Sequence, residues 1–582
     1  MTDEILRTLD DHAAVDDPPP APATAHRRVV RHWQAAAGGA GALVLLYLLD
    51  LSSNRLLSVT PDGATALLEG SSIAHGNVGL HGWALSLDSF WGVDAAFYAL
   101  VVRIVGVRVD LLHFVPALLT VLVVATALLL AREGRRGLPA AVAGGVVVAL
   151  LAFPSPDLSY YLLQGPWHVG TALYCLVAFR LLARGRWDWS FALAVVLLSA
   201  ALLGDLLTLA FGVVPCLVAG VVASLRRRRV TAGLSAAAAG LSAVGLALAV
   251  RAIFQAIGTF DLVNRNIVVR HQQVVANVGH LANRVPALLG VGKVPLNGFP
   301  EGAGAFQAAH VAGLVVVLAG VLAALYSLLR GAAFGTGGDT AEVASWRLED
   351  LLLLGIVGDL VLFVWGSPNG HAEYAKYLTP GVVFGVVLAA RAAGRLVAGL
   401  RNDLLGRTLA ALGLAFAAAF AAEFAVALTN PSPLQSEAPL ARFLGAHGLT
   451  NGVGDYWSAS LVTVDTGGKV AVRPVTTGAA RRIERFDRQS SADWYAPGGF
   501  QFLVYDTSRP WHGVDARSAA ATYGRPARTW VVGSFRVLTW SHPFSVALPP
   551  APRTSPLNIL WGLGDTADRG AGQWARSGKS SS

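Results

Sequence analysis

Eight side chains able to move a proton or hold a charge fall in the connections between apolar segments or at the segments' ends: Asp62, Asp88, Asp94, His168, Asp205, His371, Glu373 and Lys376. Carboxylates so placed can take a proton from a hydroxyl nucleophile, and a lysine can hold a departing anion. Polar groups beside membrane spans are costly, so each needs a reason. Each also has a plainer one. Asp62, following Pro61, reads equally as a helix cap, and Asp88 and Asp94 as turn and cap residues. Lys376 can snorkel to an interface. His168, in Gly165-Pro-Trp-His-Val-Gly170, can be a hydrogen-bonded packing residue. Asp205 fits a cap at a tight turn, with support of a divalent cation alongside the first-loop acids as its other use. Arg265, Arg270 and His271 form a basic group that also suits a solvated loop face.

The elements that must position these groups follow from composition. The chain has 582 residues, 54% hydrophobic and 14% charged. A soluble domain carries about 25% charged residues, so a water-soluble fold is excluded. Apolar runs long enough to cross a bilayer lie at about 35–51, 109–131, 138–154, 168–183, 190–204, 206–225, 231–257, 307–329, 350–366, 378–394 and 408–428. That predicts a polytopic α-helical membrane protein of about eleven spans. Arg27, Arg28, Arg31, Arg132, Arg135, Arg136, Arg184, Arg186, Arg226, Arg330, Arg347, Arg391, Arg395, Arg401 and Arg407 mark alternate connections as basic. By the positive-inside rule the N-terminus is cytoplasmic and the C-terminus outside. Trp33, Trp91, Trp167, Trp187, Trp346 and Trp365 sit near span ends, where an aromatic belt belongs. Cys175 and Cys216 lie within apolar runs and read as packing residues.

The organisation expected is a disordered cytoplasmic tail at 1–34, a transmembrane domain at 35–430, an extracytoplasmic α/β or α+β domain at 431–550 and a mobile end at 551–582. Two outer loops, 51–108 and 258–306, interrupt the membrane domain. Within the first, an amphipathic helix opens at Pro61-Asp62. A second starts near Asp94 with Phe97, Leu100, Val101 and Ile104 on one face, and both lie in the interface plane. Asp62, Asp88 and Asp94 are then carried at the membrane surface. In the outer domain, a helix is expected at Ala438–His447. Alternation predicts strands at Leu461–Asp465, Lys469–Val475, Phe500–Tyr505 and Thr529–Trp540, with Gly-Gly and Asn-Gly turns between them. Trp457, Trp494, Tyr495 and Trp511 serve either the core of that domain or sugar rings.

A short first span, an outer loop with two interfacial helices and an acidic residue opening the first of them resemble the GT-C glycosyltransferases. The protein O-mannosyltransferase-like and lipid A aminoarabinose transferase-like members are the nearest comparison. Asp62 falls at the family's first acidic position, with Gly63 where a second acid is usual. Asp94-Ala-Ala-Phe-Tyr98 stands where His-Pro-Pro-Leu-Tyr is expected. Gly370-His-Ala-Glu-Tyr-Ala-Lys376-Tyr377-Leu-Thr-Pro380 is similar to the family's Arg-Tyr-Leu-Leu-Pro segment, with Lys376 for Arg. The resemblance covers about residues 35–430. It implies transfer of a sugar from a polyprenyl-phosphate donor to a cell-envelope glycan or protein, on the outer face of a plasma membrane. Asp62 would be the base, with Asp88 and Asp94 as alternates or as sugar or metal contacts. Lys376, Arg265, Arg270 and His271 would hold the donor phosphate, with His168, Asp205, His371, Glu373 and Tyr377 as further outer-face candidates.

Two other classes stay open: a non-catalytic scaffold of the same architecture, which Gly63 favours, and a lipid or solute transporter. Gly452-Val-Gly-Asp-Tyr lacks the lysine and the strand–helix setting of a nucleotide loop, so ATP-driven transport has no support. No metal-ligand spacing stands out, which leaves a divalent cation as an open cofactor. The net charge of +9 speaks for topology and an anionic envelope partner, not nucleic acid: residues 430–582 alone carry 16 basic and 10 acidic side chains. Alanine, glycine and arginine richness is compatible with a high-GC bacterium.

Overall fold

A computed structural model describes residues 23–227, 233–263, 271–292, 304–333, 348–366, 372–400, 402–429, 437–486, 488–510 and 513–547. The chain divides into two compact units, residues 1–48 and 49–582. In the first, helix α1 (Ala23–Leu56) already runs from Ala23, well before the boundary expected near residue 34. Alanine and arginine are strong helix formers, and nothing in that stretch breaks a helix. Trp33, Leu43, Val44 and Tyr47 along it are exposed.

The second unit opens with α2 (Pro61–Ala74), β1 (Trp83–Leu85), α3 (Asp94–Val105) and α4 (Leu111–Arg132). There follow α5 (Gly137–Val147), α6 (Pro156–Leu163), α7 (Val169–Leu182), α8 (Trp189–Gly204), α9 (Val214–Arg227) and α10 (Leu234–Ala256). Then come β2 (Asp261–Leu262), α11 (His271–Leu288), α12 (Gly304–Ala333), α13 (Leu348–Trp365), α14 (Thr379–Ala398) and α15 (Asp403–Thr429). Each of the eleven apolar runs coincides with a helix. Among the described residues seven helices are long and apolar enough to cross a membrane, or eight if the pair bent by 76° at 152–156 is one span. α7 and α8 are apolar but shorter, and α13 has the length but carries Glu349, Asp350 and Asp359. Of the eleven expected spans, seven or eight therefore meet the length and composition of a crossing among the described residues. Close approaches are made by small residues: a Cβ on Gly320 of α12 would come 2.4 Å from the Ala389 backbone of α14.

The second outer loop is not irregular throughout, since α11 fills much of it. Its Asn277 amide caps α13 by donating to the Val364 carbonyl at 3.1 Å. In the first loop both expected helices form. Gly70 lets α2 and α3 touch: a Cβ there would lie 2.6 Å from that of Tyr98. On α3, Leu100 and Ile104 are 62% and 76% exposed, so the apolar face read from the sequence is presented outward, as an interfacial helix requires.

The C-terminal region holds α16 (Ala438–Ala446), β3 (Asn451–Gly454), α17 (Tyr456–Asp465), β4 (Ala471–Thr477), β5 (Ile483–Arg485), β6 (Ser490–Ser491), β7 (Phe500–Asp506), α18 (Ala516–Tyr523), β8 (Arg528–Val532) and β9 (Phe535–Phe544). Six strands form one mixed sheet, in the order β5-β4-β3-β7-β9-β8. β3 runs parallel to both β4 and β7, pairing Val453 with Leu503. Alternate residues of β7 feed two cores: Phe502 and Val504 pack with Leu440, Leu444 and Val462, whereas Leu503 packs with Val453, Val475 and Leu538.

Three sequence expectations fail here. The single strand expected at Thr529–Trp540 is the antiparallel pair β8 and β9, which turns at Gly533 with φ 60°. Leu461–Asp465 belongs to helix α17, not a strand. Asp455 caps that helix by accepting from Ser458 N at 3.2 Å, and its buried residues run without period-2 alternation. Asn451-Gly452 is not a turn but part of β3, where glycine makes room for the Phe502 ring: a Cβ would sit 2.3 Å from it. A second small sheet, β2-β1-β6, ties the two loops and the C-terminal region together. Ala84 pairs with Asp261 of the second loop and with Ser490 of the C-terminal region.

Candidate functional site

α2 presents Asp62. Thr60, in extended conformation, caps the helix by accepting from Gly63 N at 3.1 Å, and Pro61 takes the first turn. Asp62 is thus not the cap and its carboxylate is released for other work. It meets the hydroxyl of Tyr456, the first residue of α17, which donates to it. The same hydroxyl lies 2.5 Å from the Gln489 side-chain amide. Thr65 adds a second link between these helices, donating to Ser460 Oγ at 3.1 Å.

Asp88 is brought to Asp62 by the backbone of the loop. Phe90 N donates to the Gly204 carbonyl at 2.6 Å, and Gly92 leaves so little space that a Cβ would lie 2.9 Å from the Ala200 carbonyl oxygen. This clamps residues 88–93 against the α8 end, where Asp205 sits. Asp62, Glu69, Asp88, Ser89, Pro166 and Gln489 line one cleft of about 10 Å³, room for no more than one water. Burial, with the charge of Asp205 adding, pushes Asp88 up to about 6 against the pull of His168 and Lys376. Burial and the charge of Asp62 push Glu69 well above the usual carboxylate range. Asp94 is not at an open surface. It is 1% exposed, packs against Gly170, and burial raises it to about 7, despite the opposing pull of His168.

Beside the cleft, Asp205 gathers three donors: His168 Nδ1 and Thr171 Oγ1, each at 2.7 Å, and Leu207 N at 3.1 Å. It is therefore a turn cap and a histidine partner at once. A carboxylate only accepts, so Nδ1 carries the proton and Nε2 faces away. Among the described residues Nε2 has no partner, although His168 is fully buried. His168 also holds φ 68°, ψ 8° at the start of α7, a conformation uncommon for a non-glycine residue. Its ring lies 5.2 Å from that of Tyr377. Lys376 Nζ stands 5.7 Å from the Trp167 ring centroid and 5.5 Å from that of Tyr377. Among the described residues Lys376 makes no ion pair. Trp167, expected in an aromatic belt, is buried beneath it, whereas Trp187 and Trp365 are exposed.

The structure thus gathers Asp62, Asp88, His168, Asp205, Lys376 and Tyr377, with Asp94 behind them. Arg265, Arg270 and His371 lie outside the described residues, as do the side chains of His271 and Glu373. Sequence reasoning missed Tyr456, Gln489 and Glu69. The first two come from a region some 400 residues distant, and no local pattern announces such a contact. It also passed over Asp359, a buried carboxylate inside α13 that accepts from Gly381 N at 3.0 Å. A charged residue within an apolar helix was the signal there. Among the described residues no group of three or more His, Cys, Asp or Glu side chains is placed to hold a metal ion.

At the other face of the α2 start, a cavity of about 360 Å³ is lined by Thr60, Tyr160, Gln164, Glu437, Trp457 and Arg509, among others. It mixes aromatic faces with hydrogen-bonding groups.

No family model and no curated protein matches the chain. Solved structures do. ArnT from Cupriavidus metallidurans is 13% identical, in the apo state (TM-score 0.49, covering 88% of this chain and 98% of ArnT) and bound to undecaprenyl phosphate (TM-score 0.45, 87% and 97%). The Archaeoglobus fulgidus oligosaccharyltransferase AglB, in complex with an inhibitory peptide and a dolichol-phosphate, is also 13% identical (TM-score 0.41, 82% and 70%).

Proposed function

We propose that this chain transfers a sugar from a polyprenyl-phosphate donor to a cell-envelope acceptor at the outer face of the membrane, with Asp62 as general base. The observation that carries this reading is the meeting of Asp62 and Asp88 in one cleft at the end of the helical bundle, with Lys376 near enough to pull on Asp88 and in no ion pair among the described residues. The acceptor oxygen forms a bond to the anomeric carbon while its proton passes to Asp62. The bond from that carbon to the phosphate oxygen breaks, and the polyprenyl phosphate leaves with the electron pair. Lys376 faces the developing negative charge, since no carboxylate neutralises it. With Asp205 accepting from Nδ1, His168 supports the same charge as the imidazolium, through Nε2–H.

The cleft in its present form admits no sugar. Substrates enter when the contact between α17 and α2 loosens, so the C-terminal region, taken as an outer domain at 431–550, acts as a cover over the base. The cavity beside Trp457 and Tyr160 offers aromatic faces suited to an acceptor sugar. The test replaces Asp62, Asp88 and Asp94 singly by Asn and measures transfer from a polyprenyl-phosphate sugar. Loss with Asp62→Asn alone, or with Asp62→Asn and one other, is expected. Full activity in all three removes the basis of the reading.

A further inference from the structure

A third cavity, also about 360 Å³, lies at the far end of α2, more than two helical turns from Asp62 and on the order of 13 Å along the axis. Its wall combines Ser71, Ser72 and His75 of α2 and its cap, Trp83 of β1, Thr463 of α17, and Arg473 and Trp494 of the C-terminal region. The residues lining it include no acid. Arg473, in β4, lays its guanidinium 4.5 Å from the Trp494 ring centroid, and Trp494 in turn meets Trp83 edge-on at 4.8 Å. Among the described residues the guanidinium makes no hydrogen bond and no ion pair. The hydroxyls of Ser71 and Ser72 are likewise uncommitted among them.

A half-buried arginine without a counter-ion is costly unless something anionic completes it. Burial lowers Arg473 only to about 10, so it is a cation at neutral pH. The tryptophan holds the planar group edge-free, leaving its N–H fork to bind two oxygens of one tetrahedral anion. Two serine hydroxyls supply further donors. Val107, just past α3, forms the remaining wall, and α3 exposes Leu100, Ile104 and Val105. On the interfacial reading of α3, that places the cavity at headgroup depth.

We propose that this cavity is a phosphate-binding site, built around Arg473, Ser71 and Ser72 and separate from the Asp62 cleft. Its chemistry suits the phosphodiester of an anionic lipid headgroup or a free phosphate. The full-length protein in neutral detergent is titrated with sodium phosphate at constant ionic strength and, separately, with dihexanoyl phosphatidylglycerol, following tryptophan emission. Saturable quenching or enhancement is expected with at least one of them, weakened at least tenfold by Arg473→Gln. Ser72→Phe, which fills the cavity without touching the arginine, is expected to do the same and keeps the test valid if Arg473→Gln fails to fold. A response to phosphate assigns a soluble ligand; a response to the lipid alone assigns the headgroup. Asp62→Asn leaves either response unchanged, which separates this site from the transfer reaction. No response to either probe, or equal binding by wild type and Ser72→Phe, overturns the proposal.

Discussion

The two ends of the helical bundle treat their charges oppositely. α7 spans the contrast: His168 starts it and Arg180 lies near its end. At the Arg180 end, charges are paired. Arg180 meets Glu133 at 3.0 Å, Arg226 meets Asp350 at 2.7 Å, and Glu349 accepts from Arg391 at 2.8 Å and from Arg395 at 2.9 Å. At the His168 end, carboxylates crowd together and polar atoms go unmatched, among them His168 Nε2, Asp94 Oδ2 and Gln164 Oε1 among the described residues. Ion pairing at one end serves the fold. Unmatched, crowded carboxylates at the other cost stability, and such a cost is retained where a substrate completes the site.

Substitutions can break this comparison by having opposite signs at the two ends. The largest effect expected is on turnover: Asp62→Asn should lower the transfer rate by about 10²–10⁴-fold, equivalent to roughly 3–5 kcal/mol in the barrier, with the melting temperature little changed. Next, Glu349→Gln strips the buried partner from two arginines and should destabilise the fold by about 3–5 kcal/mol. Turnover per folded molecule, measured after thermal challenge has removed the unfolded fraction, should match wild type. An inactive but stable Glu349→Gln would mean that the paired end is also functional.

Asp94→Asn should do the reverse of Glu349→Gln. Its carboxyl is raised to about 7, so between about pH 4 and pH 7 the folded chain holds a proton that the unfolded chain releases. The associated stability is complete below about pH 4 and is lost as pH rises through 7. Asp94→Asn should therefore raise stability at pH 8 by roughly 2–4 kcal/mol, change little at pH 4, and flatten the thermal-shift profile between. Equal melting curves at pH 8 would show that the unpaired end is not under strain.

The same contrast explains what the sequence could disclose. Apolar runs register as helices because the bilayer demands twenty or so consecutive apolar residues, a signal wholly local to each run. The two helices of the first loop were legible for a similar reason, as were strands β4 and β7; the single strand read over Thr529–Trp540 is instead the pair β8 and β9. What stayed hidden depended on distance along the chain. Nothing near His168 indicates that its partner is Asp205, and nothing near Asp62 points to Tyr456. Asp94 was legible as a helix start but not as buried, because Gly170 of another helix sets its burial. The strand misread at Leu461–Asp465 failed on short range: five residues of alternating size fit either period, and the Asp455 cap decided for a helix.

The smallest effect concerns the link that joins the two halves of the site. Tyr456→Phe removes the hydroxyl that donates to Asp62 and keeps the ring packed 4.9 Å from Phe486. One hydrogen bond to a charged acceptor is worth roughly 1–3 kcal/mol in the closed state. Its loss frees the carboxylate and loosens α17 from α2 together. If the C-terminal region is a cover, opening becomes easier, and KM for the acceptor should fall by about three- to tenfold while kcat changes less. If Tyr456 instead orients Asp62 for proton transfer, kcat falls by about tenfold at unchanged KM. The split between those constants decides whether the distant half of the site guards the base or aims it.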